Sequence, residues 1–219
     1  MTKRIALGKE WAWRTDDSNT WNVMTTEKFM QFPLEVAAAV TGRRTVIQAG
    51  GHCGLYPYQY ADLFERVITF EPEETNLACL LENVKEKKNV EVNNCALGET
   101  STQTSLENFA TNTGQYRINN NNTGSVVVSR IDDFDIKDVD LIHLDVEGYE
   151  LFALKGGIET ILKYKPDIVL ETNDLCTEYN YTIVELETWL RSIGYYRTNR
   201  LKKRKHDRMY SYQPEYILP

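Results

Sequence analysis

The spacing of apolar and polar positions predicts two kinds of element along this chain. TVIQA (45–49), VITFE (67–71), DLIHLDV (140–146) and DIVLET (167–172) are short β-branched runs, the pattern of strands buried on both faces. VEVNNCAL (90–97) reads as a further strand, third in chain order. Between the runs a helical period takes over. Leu77, Leu80, Leu81 and Val84 predict a helix from Glu73 to Lys85. Ile183, Leu186, Trp189, Leu190 and Ile193 predict another from Thr182 to Ile193, with Gly194 as its stop. Helices are also expected over Thr26–Val40, Leu55–Phe64 (Pro57 in its first turn) and Tyr149–Lys163. Strands alternating with helices mean an α/β fold, a mostly parallel sheet with helices on both faces.

Two segments break the alternation. Between Glu99 and Ser129 polar residues dominate, and NNNNTG (119–124) is a turn signal between QYRI and SVVVS. A β-hairpin inserted before the fourth strand is expected there. The stretch YYRTNRLKKRKHDRMYSYQ reads as two strands joined by a basic loop. Ahead of the alternating region, residues 1–40 carry Trp11, Trp13, Trp21, Phe29 and Phe32. They predict a helical, aromatic cap on a single globular unit spanning 41–219. Core filling is the expected role of these rings, with a lid or substrate wall as the alternative.

Composition narrows the class. A net charge of −7, from 32 acidic and 25 basic residues, argues against whole-surface nucleic-acid binding. No run of 18 apolar residues is present, so no membrane span is expected, and MTKRIALGKEWAW lacks the apolar centre of a signal peptide. Cys53, Cys79, Cys95 and Cys176 form no CxxC pair, which disfavours structural zinc and disulfides and suits a reducing cytoplasm. His52, His143 and His206 are too scattered to suggest a metal cluster.

The chemistry gathers at strand ends. Gly50, Gly51 and Gly54 follow the first strand, where glycine lets backbone approach a ligand and a following helix offers free N–H groups. Glu71 ends the second strand, placed to accept both hydroxyls of a ribose. That spacing suits a dinucleotide and an adenosyl cofactor equally, and a solvated carboxylate is the plain alternative. The turn QAGGHCG lacks the third glycine of GxGxxG, and no Tyr-x-x-x-Lys pair stands near a strand end. Both points count against a nicotinamide-dependent oxidoreductase.

Taken in order, IQAGGHCGLY, FEPEETNLACLLENV, CALGE, SRIDDF, DLIHLDVEGYELFALKGG and PDIVLET resemble the FkbM family of class I S-adenosylmethionine-dependent methyltransferases. The resemblance covers roughly residues 45–172, and the spacing continues to about 195. It implies a Rossmann-like sheet of seven strands, S-adenosylmethionine as cofactor, and mostly O-methylation, often of sugars or natural products. By it Gly50 and Gly54 line the methionine end, Glu71 holds the ribose, and Ala96 and Leu97 lie beside the adenine. Gln48, Gly51, His52, Pro72 and Asp145 complete the expected cofactor set. Two departures stand out: Gln48 replaces an acid, and His52 stands where Gly or Asn is usual. They keep open a second reading, a methyltransferase-like domain that binds a cofactor or partner without catalysis.

Methyl transfer is an in-line displacement that profits from close approach and from a base near the acceptor proton. The catalytic candidates are Asp145, Glu147 and His143. Asp145, at the carboxyl end of its strand, is the first choice for base or acceptor binding. His143 sits two residues back, roughly 7 Å deeper, and is expected as a buried polar support. Glu147 and Glu150 also suit a helix start. Glu171 and Asn173 are substrate-binding candidates from the fifth strand's end. Asp145, Glu171 and Asn173 have the oxygen chemistry for a divalent metal, yet strand-end carboxylates are common without one and none is favoured. Lys202, Lys203 and Arg204 of the basic loop 200–208 suit steering of an acidic acceptor, and nucleic acid less so. The expected partner is a small-molecule or glycan acceptor. Tyr179, Tyr181, Tyr195 and Tyr196 could face a partner or the core, leaving oligomeric state open.

Overall fold

The computed structural model describes residues 1–6, 8–17, 20–108, 113–119, 123–201 and 206–214. The chain opens with an antiparallel pair, β1 (Thr2–Ala6) and β2 (Lys9–Trp13). Three short helices follow: α1 (Thr20–Met24), α2 (Glu27–Met30) and α3 (Phe32–Ala39). Then come β3 (Thr45–Ala49), α4 (Leu55–Tyr60), β4 (Arg66–Phe70), α5 (Glu74–Val84) and β5 (Val90–Asn93). Next are β6 (Ala96–Leu97), β7 (Thr102–Asn108), β8 (Tyr116–Asn119) and β9 (Val126–Ser129). The chain continues through β10 (Val139–Leu144), α6 (Glu150–Lys155), α7 (Ile158–Tyr164), β11 (Asp167–Glu171), α8 (Ile183–Ser192), β12 (Tyr195–Thr198) and β13 (Asp207–Tyr212).

Seven strands form the main sheet in the order β12-β13-β11-β10-β3-β4-β5. The run from β11 to β5 is parallel, and β13 lies antiparallel between β11 and β12. This is the Rossmann-like, mostly parallel sheet of the class I methyltransferase fold. Side chains alternate across it. Ile47, Ile68, Ile142 and Ile168 face a core shared with Leu154, Ile161, Leu186 and Leu190 of α6, α7 and α8. Val46, Val67, Leu141 and Val169 face the other, shared with Phe32, Val36, Tyr56 and Tyr60 of α3 and α4. Trp11 and Trp13 form a third cluster with Cys53, Leu55 and Cys79. Asn83 of α5 locks β2 against it, accepting from Ala12 N–H at 2.7 Å and donating to the Ala12 carbonyl at 2.9 Å.

The structure redraws five expected elements. The cap begins with a strand pair rather than helix alone, and the expected helix over Thr26–Val40 is divided. Thr26 caps the N-terminus of α2, and Pro33 sits in the first turn of α3, where its missing N–H costs nothing. The expected strand 90–97 splits between the main sheet and a smaller one. The expected helix Tyr149–Lys163 breaks at Gly156 and Gly157, and a Cβ on Gly156 would collide with the Gly98 carbonyl, so glycine is required there. In the inserted segment, QYRI and SVVVS do not pair with each other. The smaller sheet runs β6-β9-β7-β8, and β7 pairs through Thr102–Thr104 with β9 and through Ser105–Asn108 with β8.

Truncating the central strand measures how much this core contributes. Ile142→Ala is expected to cost about 2–5 kcal/mol in urea unfolding. Val184→Ala, on the exposed face of α8, should stay within about 0.5 kcal/mol of wild type.

Candidate active site

The carboxyl ends of β3, β4, β10 and β11 meet at one cavity of about 410 Å³. The glycine turn forms one wall. Gly50, at φ +83°, and Gly51 both donate to the Phe70 carbonyl, at 3.2 and 3.0 Å, which draws the turn across the end of β4. A Cβ on Gly50 would strike the Asp145 carbonyl, so only glycine fits. Gly54, also left-handed at φ +88°, caps α4 and stands behind the lining.

Glu71 is 5% exposed at the end of β4. Its Oε2 accepts from the His52 backbone N–H at 2.7 Å, and its Oε1 from the Glu73 N–H at 2.9 Å and from Asn76 Nδ2 at 3.5 Å. Burial pushes its pKa up to about 7, against the opposing pull of those donors. Pro72, Ala96 and Leu97 line the cavity next to it. His52 lines it too, in a left-handed conformation at φ +45°. Burial lowers its pKa to about 4, so its ring is neutral, and Nδ1 has no hydrogen-bond partner among the described residues.

An acidic corner closes the opposite side. Asp145, Glu147 and Glu171 each place a carboxylate oxygen within 4.8 Å of the others. Burial, and then the neighbouring Glu171, raises the Asp145 pKa well above the carboxylate range. Burial also raises Glu171, with the charges of Glu147 and Glu150 adding to it. Burial with the charges of Asp145 and Glu150 lifts Glu147 to about 8. Buried carboxyls this close favour retaining a proton, so that one of the pair can donate while the other accepts.

Five sequence expectations need correction or placement. Gln48 does not reach the cavity. Its Nε2 donates to the Ala49 and Gly50 carbonyls at 3.1 and 3.0 Å, and its Oε1 accepts from Thr69 Oγ1 at 2.6 Å. The amide braces the turn from within the sheet. His143 is not at the reaction centre either: it is 1% exposed, 2.8 Å from Tyr60 Oη through Nδ1, and enclosed by Phe32, Tyr56 and Tyr60. Asn173 caps a 3-10 turn through Leu175 N–H and donates to Glu171 at 2.8 Å, so it supports the corner from outside. Glu150 accepts from Val146 and Gly148 N–H groups at the start of α6. Lys202, Lys203 and Arg204 lie outside the described residues.

Other lining residues carried no periodic signal. Val23, Met24 and Phe29 of the cap face the cavity, as do Tyr56 of α4 and Tyr116 and Ile118 of β8. Phe29 stacks on Tyr56 at 5.0 Å. The aromatic cap therefore serves as core and as wall together. No lysine or arginine lines the cavity among the described residues.

Comparison with known proteins agrees with this geometry. The methyltransferase FkbM domain matches residues 50–196, and the chain belongs to that family. Methyltransferase FkbM from Methylobacillus flagellatus KT is similar in structure, with a TM-score of 0.54 and 23% identity, over 78% of this chain and 44% of that one. The chain thus spans less than half of that relative. A chain of a fibrillarin–Nop5p complex gives 0.52 at 17% identity, over 80% of this chain and 74% of that one. An S-adenosylmethionine-dependent methyltransferase from Aquifex aeolicus gives 0.50 at 15% identity, over 90% and 98%. At these identities the likeness speaks for the fold. No protein of curated function matches. No helix among the described residues is long and apolar enough to cross a membrane.

Two substitutions separate support from site. His143→Leu strands the buried Tyr60 hydroxyl and should cost about 1–3 kcal/mol of stability, while affinity for S-adenosylhomocysteine stays within about twofold. Glu147, raised in the folded state, contributes stability at low pH that is lost as pH climbs through about 8. The thermal midpoint of Glu147→Gln relative to wild type should therefore rise between about pH 5.5 and about pH 8.5.

Proposed function

We propose that the protein transfers the methyl group of S-adenosylmethionine to a hydroxyl of a small, carbohydrate-like acceptor. One observation carries the reading: a buried carboxylate tied to a glycine turn opens into the same cavity as a proton-sharing carboxyl pair. The residues fit the cofactor. Gly50 and Gly51 line the cavity with backbone alone, since a Cβ at either would strike the Asp145 carbonyl or the Leu80 side chain, and His52 Nδ1 has no hydrogen-bond partner among the described residues. Glu71 would accept the ribose hydroxyls, with Pro72, Ala96 and Leu97 beside the adenine. When bound, S-adenosylmethionine supplies an activated methyl carbon.

The chain's own residues do the rest. Glu171, the accepting member of the pair, would take up the proton that the acceptor hydroxyl releases, with Asp145 beside it. Val23, Met24, Phe29 and Tyr56 keep water from the acceptor and hold it close. A lining of carboxylates and apolar groups, without lysine or arginine among the described residues, favours a neutral reacting end.

Calorimetric titration with S-adenosylmethionine, S-adenosylhomocysteine and NADH tests the cofactor. Both adenosyl ligands should bind wild type, and Glu71→Ala should weaken them at least about tenfold. Binding of NADH alone would overturn the assignment. In a labelled-methyl screen of sugars and polyols, Asp145→Asn should keep S-adenosylhomocysteine affinity and lose about 10²–10⁴ in turnover.

A further inference from the structure

Arg14 lies outside the residues that match the family, just past the end of β2, and is 3% exposed. Its guanidinium meets four partners from three parts of the chain. Within the cap it pairs with Asp16, through Nε at 2.9 Å and Nη2 at 2.7 Å. At the start of α5, Nη1 bonds Glu73 Oε2 and Asn76 Oδ1, the latter at 3.1 Å. From the inserted sheet, Tyr116 Oη accepts from Nη2 at 3.0 Å.

The bond to Asn76 has a chemical consequence. A guanidinium only donates, so the amide oxygen of Asn76 must face Arg14. The amide nitrogen is then turned the other way, 3.5 Å from Glu71 Oε1 and 3.3 Å from the Thr113 carbonyl. With Arg14 removed, the amide oxygen loses the donor that fixes it, and only the Glu71 carboxylate and the Thr113 carbonyl still orient the nitrogen. We propose that Arg14 is a positioning residue for cofactor binding: it fixes the Asn76 amide so that Glu71 is held as an acceptor, and it links that carboxylate to the docking of the cap and of β8. The proposal rests on the reading of Glu71 as the ribose partner.

The groups facing Glu71 are few. Glu73 lies on its own segment and opposes its ionisation; His52 comes from the glycine turn and is neutral. The Cys53 thiol, raised by burial, stays protonated, and Asn76 and the Thr113 carbonyl are uncharged. Arg14 is the cation of this neighbourhood among the described residues, one amide away. Its loss should raise the Glu71 pKa, so affinity falls at a higher pH as the solution is acidified.

The test is calorimetric affinity for S-adenosylhomocysteine against pH, on the full chain, for wild type, Arg14→Gln, Asn76→Ala, the double variant and Glu71→Gln. Arg14→Gln and Asn76→Ala should each weaken binding about tenfold at neutral pH and move the midpoint of the acid loss up by about one unit. The double variant should be no weaker than the poorer single one, since both act on one path. Multiplying losses, or a midpoint that does not move, would overturn the proposal and leave Arg14 a packing residue. If Arg14→Gln does not fold, Asn76→Ala decides alone by the same midpoint. Wild-type affinity in Glu71→Gln would instead sink the ribose reading, a separate failure.

Discussion

A carboxylate buried at the end of a parallel strand is costly, and the architecture around Glu71 answers that cost. Three donors converge on it, from the glycine turn, from the segment leading into α5, and from Asn76. They come from two lengths of chain, the glycine turn and the start of α5, so satisfying one side chain ties the two together. The turn is drawn further by the Phe70 carbonyl and braced beneath by Gln48. Arg14 and Thr113 extend the network to the cap and the inserted segment. The cavity inherits its shape from this one act of solvation by protein groups.

The two acidic regions of the cavity answer the same penalty differently. Glu71 is surrounded by N–H donors, which favour the charged form. Asp145 and Glu171 have each other instead, and at close range two carboxyls resolve their repulsion by retaining a proton. One end of the cavity is therefore built to accept hydrogen bonds, while the other is built to exchange a proton. The proposed methyl transfer to a hydroxyl draws on that division.

Much of this was legible in the residues. β3, β4, β10 and β11 were readable because β-branched runs between helical periods have few other outcomes, and Glu71 because strand length sets where a strand stops. Gln48 was misplaced because a motif position does not reveal which way its side chain turns; its amide found Thr69 and two carbonyls within the sheet. His143 shared a face with Asp145, and depth decided between them. The need for glycine at 156 comes from the Gly98 carbonyl, distant in sequence, and no local propensity contains it. Arg14 and Asn76 were invisible for the same reason, since a partner 62 residues away leaves no periodic trace.

The smaller sheet acts as a ruler. Ala96 and Leu97 stand on β6, Tyr116 and Ile118 on β8, with β9 and β7 between them. Three inter-strand steps separate the two edges, and β8 is also offset along β7, which pairs with β9 through Thr102–Thr104 and with β8 through Ser105–Asn108. Hydrogen-bonded ladders do not stretch, so the span from one end of the cavity to the other is set by backbone geometry. A bulkier occupant cannot be admitted by enlarging that span; it has to displace the cap, whose side chains form the wall the ladder does not measure.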